Sequence, residues 1–293
     1  MCTLTLMATR VAVTGASGKL GRAVVKELLD FGWEVIALDQ APPAEQVCAF
    51  TRVDLTDYGQ TVEAFAAIDD RHGGVDAVVH LAAIPAPGLF TNSATFANNI
   101  TCSYNVFQAA RSAGIRNVVW ASSETVLGLP FDTPPPYLPV DEEYPARPES
   151  AYSLGKHLEE TLAAQYARWI PDTKLIGLRF SNVMNVDDYA AFPSFEADPM
   201  LRKWNLWSYI DARDAAQAVR LSLEYDVPGV EVFIIASPDT VMSSPTSELA
   251  ARVFPDVEFK RPVGEHETLL SIEKARRLLG YKPQHTWRNH AEA

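Results

Sequence analysis

The sequence predicts an α/β fold, a doubly wound parallel sheet followed by a small C-terminal cap, and three observations predict it. Short apolar segments alternate with amphipathic ones, a glycine-rich loop joins the first strand to the first helix, and an acidic residue ends the second strand. Near-continuous apolar strands separated by helices indicate a sheet covered on both faces. Residues 10–14 form the first strand, and 22–31 an amphipathic helix through Val24, Val25, Leu28 and Leu29. A strand at 33–38, a helix at 61–67 and a strand at 77–81 follow, then a helix at 98–113 stopped by Gly114. Residues 118–122 and 175–180 read as further buried strands, with a helix at 153–170 between them, stopped by Pro171. The stretch 129–148 holds seven of the 20 prolines, so it reads as an ordered loop over a site rather than a helix or strand. Beyond Phe180 the alternation weakens: 182–207 is irregular, 211–223 helical, 230–236 strand-like, and a last helix at 271–279 ends on Gly280 as its C-cap. The division implied is a main domain of residues 1–180 and a substrate-binding cap of 181–293, with one or two cap elements returning to the main sheet.

Composition narrows the classes of function. The chain has 293 residues, 47% apolar and 21% charged, as a soluble globular protein of one or two domains has. Its net charge of −12 disfavours a nucleic-acid-binding face, although one local cation would suffice for a small anionic substrate. Cys2, Cys48 and Cys102 are widely spaced with no CxxC pair, which points to a reduced compartment, the cytoplasm. The opening MCTLTLMATR is too short and too little apolar for a signal peptide, and no run approaches the about 18 apolar residues of a membrane span. The histidines have no metal-ligand spacing, so no metal is expected.

Thr14 to Gly21 reads TGASGKLG, with Gly15, Gly18 and Gly21 three apart. Glycine at the first two positions lets backbone turn tightly and approach a pyrophosphate, and at the third lets helix pack closely on strand. The helix N-terminus then offers N–H donors and a positive dipole end to phosphates. Asp39 stands 18 residues after Gly21, where a carboxylate accepts both ribose hydroxyls of an adenosine half and repels a 2′-phosphate. Asp54 either holds the base or caps a loop. Tyr152 and Lys156 lie four apart, on one face of a helix. A tyrosine with an ordinary pKa of about 10 is a poor base, and a neighbouring ammonium stabilises its phenolate. With a hydroxyl from Ser122 or Ser123, the set can move a proton on and off a carbinol.

On these residues the chain resembles the extended short-chain dehydrogenase/reductase family, in its NAD-dependent epimerase/dehydratase branch. Further marks are HLAAIP at 80–85, ASSETVLG at 121–128, YSLGK at 152–156, LRFSN at 178–182 and YIDARDAA at 209–216. The resemblance implies a Rossmann fold and NAD as cofactor. It assigns the catalytic hydroxyl to Ser123, the base to Tyr152, and the residue that binds nicotinamide ribose and lowers the tyrosine pKa to Lys156. Cofactor contacts would come from Gly15, Ser17, Gly18, Lys19, Leu20, Gly21, Asp39, Gln40, Asp54, Leu55, Leu81, Ala82, Ala83 and Asn99, beside Tyr152 and Lys156. The family also implies a homodimer through helices 99–113 and 153–170.

Some residues depart from the family pattern. Leu127 stands where tyrosine is common. Only 26 residues separate Asn182 from Tyr209, and Trp207 stands where nucleotide-sugar epimerases place a pyrophosphate-binding arginine. The compact cap looks like that of uronate dehydrogenases, which implies a small carbohydrate substrate met by Ile84, Ser123, Asn182, Trp207 and, for a carboxylate, Arg213. Arg202 and Lys203 are other nearby cations, and Trp204 and Trp207 either line a sugar pocket or pack under the cap. Glu124 lacks the Asp-Glu pairing of a dehydratase, which disfavours dehydration. His80 reads as a core or cofactor-floor residue. Three functions compete: a dehydrogenase acting on a sugar, sugar acid or polyol; an epimerase with transient oxidation; and a non-catalytic NAD-binding regulator, which would not need Ser123, Tyr152 and Lys156 together.

Overall fold

The computed structural model describes residues 9–66 and 73–290. The signal-peptide reading of the opening segment and the last residue of the 61–67 helix lie outside the described residues. Seven strands make one parallel sheet: β1 (Arg10–Thr14), β2 (Glu34–Asp39), β3 (Ala49–Arg52), β4 (Ala77–His80), β5 (Asn117–Ser123), β7 (Lys174–Phe180) and β10 (Gly229–Ile235). Their order is β10-β7-β5-β4-β1-β2-β3. The short β6 (Tyr137–Leu138), β8 (Val183–Met184), β9 (Ile210–Asp211) and β11 (Glu258–Phe259) pair in twos outside it.

Strand side chains alternate between two buried faces. Val11, Val13, Val79, Val119, Ile176 and Leu178 pack on α1 (Lys19–Asp30) and α5 (Ala212–Glu224), through Val24, Leu28, Val219 and Leu223. Ala12, Val78, Val118, Trp120 and Leu175 pack on α2 (Tyr58–Ala66), α3 (Asn92–Ser112) and α4 (Ala151–Trp169), through Phe65, Val106, Phe107 and Tyr166. Both faces are covered along the central strands, so β1, β4, β5 and β7 read as near-continuous apolar runs.

β10 and α5 come from beyond residue 180 and are the elements that return to the main layer: β10 extends the sheet beside β7 and α5 packs along α1. Three differences from the expected elements have physical causes. β3 is an edge strand with half-exposed side chains and no apolar run to announce it. α3 begins six residues earlier than its apolar pattern, because its first turns are mostly solvent-facing. α6 (Thr246–Val253) buries only Thr246, Leu249 and Ala250, too narrow a stripe to read from periodicity. The proline-rich stretch contains β6, which pairs with β11 some 120 residues on. Residues 182–207 hold three 3₁₀ turns, and α7 (Glu273–Leu279) ends at Gly280 with φ +69°, the left-handed cap expected.

The chain runs outward from β1 through β2 to β3, and from β4 through β5 and β7 to β10 in the opposite direction. The sheet therefore switches direction between β1 and β4, and a crevice opens at the C-terminal ends of those strands. Gly21 sets the first wall of the crevice. A β-carbon there would lie 2.1 Å from the Gly15 carbonyl oxygen and 2.7 Å from Ala16 Cα. Gly21→Ala should therefore push α1 off β1 and cost about 1–3 kcal/mol, read from denaturant unfolding. A wild-type unfolding midpoint would show that this contact does not set the packing.

Candidate active site

A cavity of about 1160 Å³ occupies the crevice. Of the residues singled out from sequence, Gly15, Ser17, Gly18, Lys19, Leu20, Gly21, Asp39, Gln40, Leu55, Leu81, Ala82, Ala83, Ile84, Ser123, Tyr152, Lys156 and Asn182 line it. Loops after β1, β2, β4, β5 and β7 thus converge on one space.

At one end the glycine loop comes up against the segment after β4. Gly15 has φ +68°, and a β-carbon on it would lie 2.7 Å from the Ala82 nitrogen. Leu81 and Ala82 donate their N–H groups to Thr14 Oγ1 at 3.2 and 3.3 Å. That hydroxyl directs its own proton to His80 Nδ1 at 2.8 Å, which leaves Nε2–H to donate to Ser103 Oγ at 3.1 Å. Burial drives the His80 pKa down to about 3, with the Lys156 charge adding to it, so the ring is a neutral floor pin. Gly18 caps α1 without a side chain, which leaves the first-turn amides of α1 turned to the cavity with no side-chain cap. Asp39 Oδ2 accepts from the Ser17 N–H at 3.0 Å and Oδ1 from the Gln40 N–H at 2.7 Å, so the acid is fixed at the cavity rim. This donor set, with a backbone cradle at the phosphate position and a carboxylate at the ribose position, fits NAD.

Two residues expected at the cofactor stand outside the lining. Asp54 Oδ1 accepts from Thr56 N–H and Oγ1 at 2.9 and 2.7 Å; it is a loop cap, and Val53 and Leu55 reach the cavity instead. Buried Asn99 accepts from the Ile84 N–H at 2.8 Å and donates to the Ile84 carbonyl at 3.0 Å. It clamps the 81–87 wall rather than lining it.

At the other end, Ser150 accepts from the Ser153 N–H at 3.1 Å in a capping box that starts α4, which sets Tyr152 in the first turn and Lys156 one turn later. Ser122 donates to Glu160 at 2.6 Å, and Arg179 grips the same carboxylate through two nitrogens at 2.9 and 2.8 Å. Ser122 is therefore committed to the scaffold, and Ser123 is the hydroxyl left beside Tyr152. Burial pushes the Tyr152 phenol above its ordinary value; Lys156 and Ser123 pull it down, while Glu159 and Glu124 push it up.

The cap side differs most from expectation. Trp207 is fully buried: its indole N–H donates to the Pro199 carbonyl at 2.8 Å and its ring meets Phe254 edge-on, so it cannot stack on a ligand. Trp204 lines the cavity instead. Arg213 lies outside the lining and is held by Asp211 through two 2.8 Å contacts. Arg202 is the buried cation at this end, 4.9 Å over the Trp204 ring and donating to Asn182 Oδ1 at 3.2 Å. Sequence reasoning gave Glu124 only a dehydratase role. It lines the cavity, is buried, and burial pushes it up to about 7 against Ser181, Asn205 and Arg202. Glu159, buried against Lys156, was not singled out; its i+3 spacing from that lysine was the only signal.

A doubly wound parallel sheet with a glycine cradle, an acidic second-strand end and a Tyr-Lys helix defines a dinucleotide-binding enzyme of the short-chain dehydrogenase type. The chain belongs to the NAD dependent epimerase/dehydratase family, whose model matches residues 11–236. It is 28% identical over 189 residues to UDP-glucose 4-epimerase 2 of Oryza sativa subsp. japonica, covering 59% of this chain and 44% of that one. It thus spans about half the length of that relative. It is also 28% identical over 253 residues to L-arabinose 1-dehydrogenase (NAD(P)(+)) of Haloferax volcanii, covering 83% of this chain and 94% of that one. A solved mutated uronate dehydrogenase shares the fold at TM-score 0.68 and 24% identity, covering 98% of this chain and 85% of the other.

Asp39 stands at the cavity rim with Gln40 and Ala41 after it; with an adenosine ribose bound at that carboxylate, NAD should be preferred over NADP. A 2′-phosphate beside that carboxylate costs roughly a few kcal/mol in a partly desolvated site. Asp39→Ala should weaken NAD binding and narrow the preference in kcat/KM; equal kcat/KM with both cofactors in the wild type would remove this role from Asp39.

Proposed function

We propose that the protein is an NAD-dependent dehydrogenase that oxidises a hydroxyl of a free sugar, sugar acid or similar polyol. The observation that carries this reading is that Ser123, Tyr152 and Lys156 line one end of a cavity whose other end is the glycine loop and Asp39. Bound NAD supplies the hydride acceptor for the carbinol carbon. Ser123 orients the substrate hydroxyl, Tyr152 takes its proton, and Lys156 steadies the phenolate that prepares this transfer.

The small substrate is supported by the cap. Residues 186–205 fold into three 3₁₀ turns and seat Trp207 in the core, and the cavity wall there is Trp204 and Asn182, with Arg202 behind them. An aromatic face suits a sugar ring, and Arg202, buried behind Asn182 and outside the lining itself, is the cation on this side in place of Arg213. The alignment with L-arabinose 1-dehydrogenase across most of both chains supports the same reading. A second reading, a nucleotide-sugar epimerase, is favoured by the match to UDP-glucose 4-epimerase. We further propose a cytoplasmic homodimer through α3 and α4, whose outer faces form an apolar groove at Ile100, Tyr104, Leu158 and Leu162.

Incubation with NAD and a panel of aldoses, uronates and UDP-sugars separates the readings. NADH absorbance should accumulate with a free sugar or sugar acid; isomerised UDP-sugar without net NADH would make the protein an epimerase. Tyr152→Phe should lower kcat by about 10²- to 10⁴-fold while leaving NAD binding near wild type by calorimetry. Near-normal turnover in that variant would place the proton path elsewhere.

A further inference from the structure

Lys156 does not present an unopposed charge to Tyr152. Its Nζ lies 3.0 Å from Glu159 Oε2, with side chains only 3% and 0% exposed, and donates to the Ala121 carbonyl at 2.8 Å. Glu159 sits one turn along α4, where the Ser103 hydroxyl of α3 faces its carboxylate. A buried ion pair contributes little net stability, because desolvation offsets its attraction. What a carboxylate adds that a neutral acceptor cannot is a second charge close to the phenol. The ammonium favours the Tyr152 phenolate and the carboxylate disfavours it.

We propose that Glu159 is a positioning residue that sets the proton affinity of Tyr152 through Lys156: it pins Nζ against the Ala121 carbonyl and offsets the ammonium's pull on the phenol proton. This rests on the reading of Tyr152 as the proton carrier. Burial pushes the Glu159 carboxyl up while Lys156 pulls it down, and Lys156 stands above its ordinary value despite its burial, with the Tyr152 hydroxyl and Cys102 as well as Glu159 favouring the ammonium. The other groups facing the pair leave Glu159 as its main counter-charge. From α3, the Cys102 thiol is pushed up to about 12 by burial and stays neutral, and from β4, His80 is neutral. Glu160, next along α4, is balanced by Arg179, while Glu124, from the turn after β5, reinforces Glu159 at the phenol.

The test reads Tyr152 directly. In the NAD-saturated enzyme, the tyrosinate ultraviolet absorbance of the wild type minus that of Tyr152→Phe isolates the Tyr152 titration. The matching difference between Glu159→Gln and Glu159→Gln/Tyr152→Phe should have a midpoint about one pH unit lower, a tenfold loss of proton affinity. Glu159→Met, an apolar side chain of similar length, should give a shift of the same sign if packing around Gln is disturbed. A midpoint unchanged or raised in either folded variant overturns the proposal. Turnover of Tyr152→Phe separates the two readings. If that variant is inactive and the midpoint does not move, only the role of Glu159 fails; if it stays active, the proton-carrier reading fails whatever the titration shows.

Discussion

The close approach of the Gly15 backbone to the Leu81–Ala82 backbone is the constraint on which the site depends. It holds the ends of β1 and β4 together at the point where the sheet changes direction, and Thr14 Oγ1 secures it by accepting two N–H groups from the opposing loop. A β-carbon at Gly15 would separate the loops, and one at Gly21 would lift the helix whose N-terminus lines the cavity. The His80–Ser103 hydrogen bond carries this bracing into α3, and Asn99 on the same helix clamps Ile84. One helix therefore supports both the cofactor floor and the wall that leads to Tyr152.

The second half of the site is governed by charge in a dry place. Lys156, Glu159, Glu160, Arg179 and Glu124 all lie at or near the junction of β5, β7 and α4, where attraction and repulsion are screened far less than at the surface. Most of these charges are committed to one another. Glu160 neutralises Arg179 and holds Ser122, which leaves Ser123 as the hydroxyl beside the phenol. Glu124 has a different status: its Oε2 lacks a partner among the described residues, and burial pushes its carboxyl up to about 7.

The segment between Asn182 and Tyr209 is kept compact by burying Trp207. Trp207, with Leu206 before it, takes a positive φ, and its indole is locked between Pro199 and Phe254. The chain reversal this creates turns Trp204 toward the cavity and stacks Arg202 on it. A short connection between Asn182 and Tyr209 thus supplies both an aromatic wall and a cation.

By itself the sequence determined the parallel sheet, the glycine cradle, the acid at the end of β2 and the Tyr152–Lys156 face, because each follows from local periodicity or from residues close in the chain. Those features need only the backbone geometry of one strand, one turn or one helix. The tertiary structure alone decided which tryptophan reaches the cavity, that Asp211 holds Arg213 while Arg202 meets Asn182, that Asp54 caps a loop, and which elements beyond residue 180, β10 and α5, join the main sheet layer. It also decided that Glu159 meets Lys156 in a sealed pocket. All of these depend on burial and on partners far apart in the chain, such as Arg202 with Asn182 or α5 with α1, and nothing in residue spacing encodes what a fold brings together from both sides of a sheet.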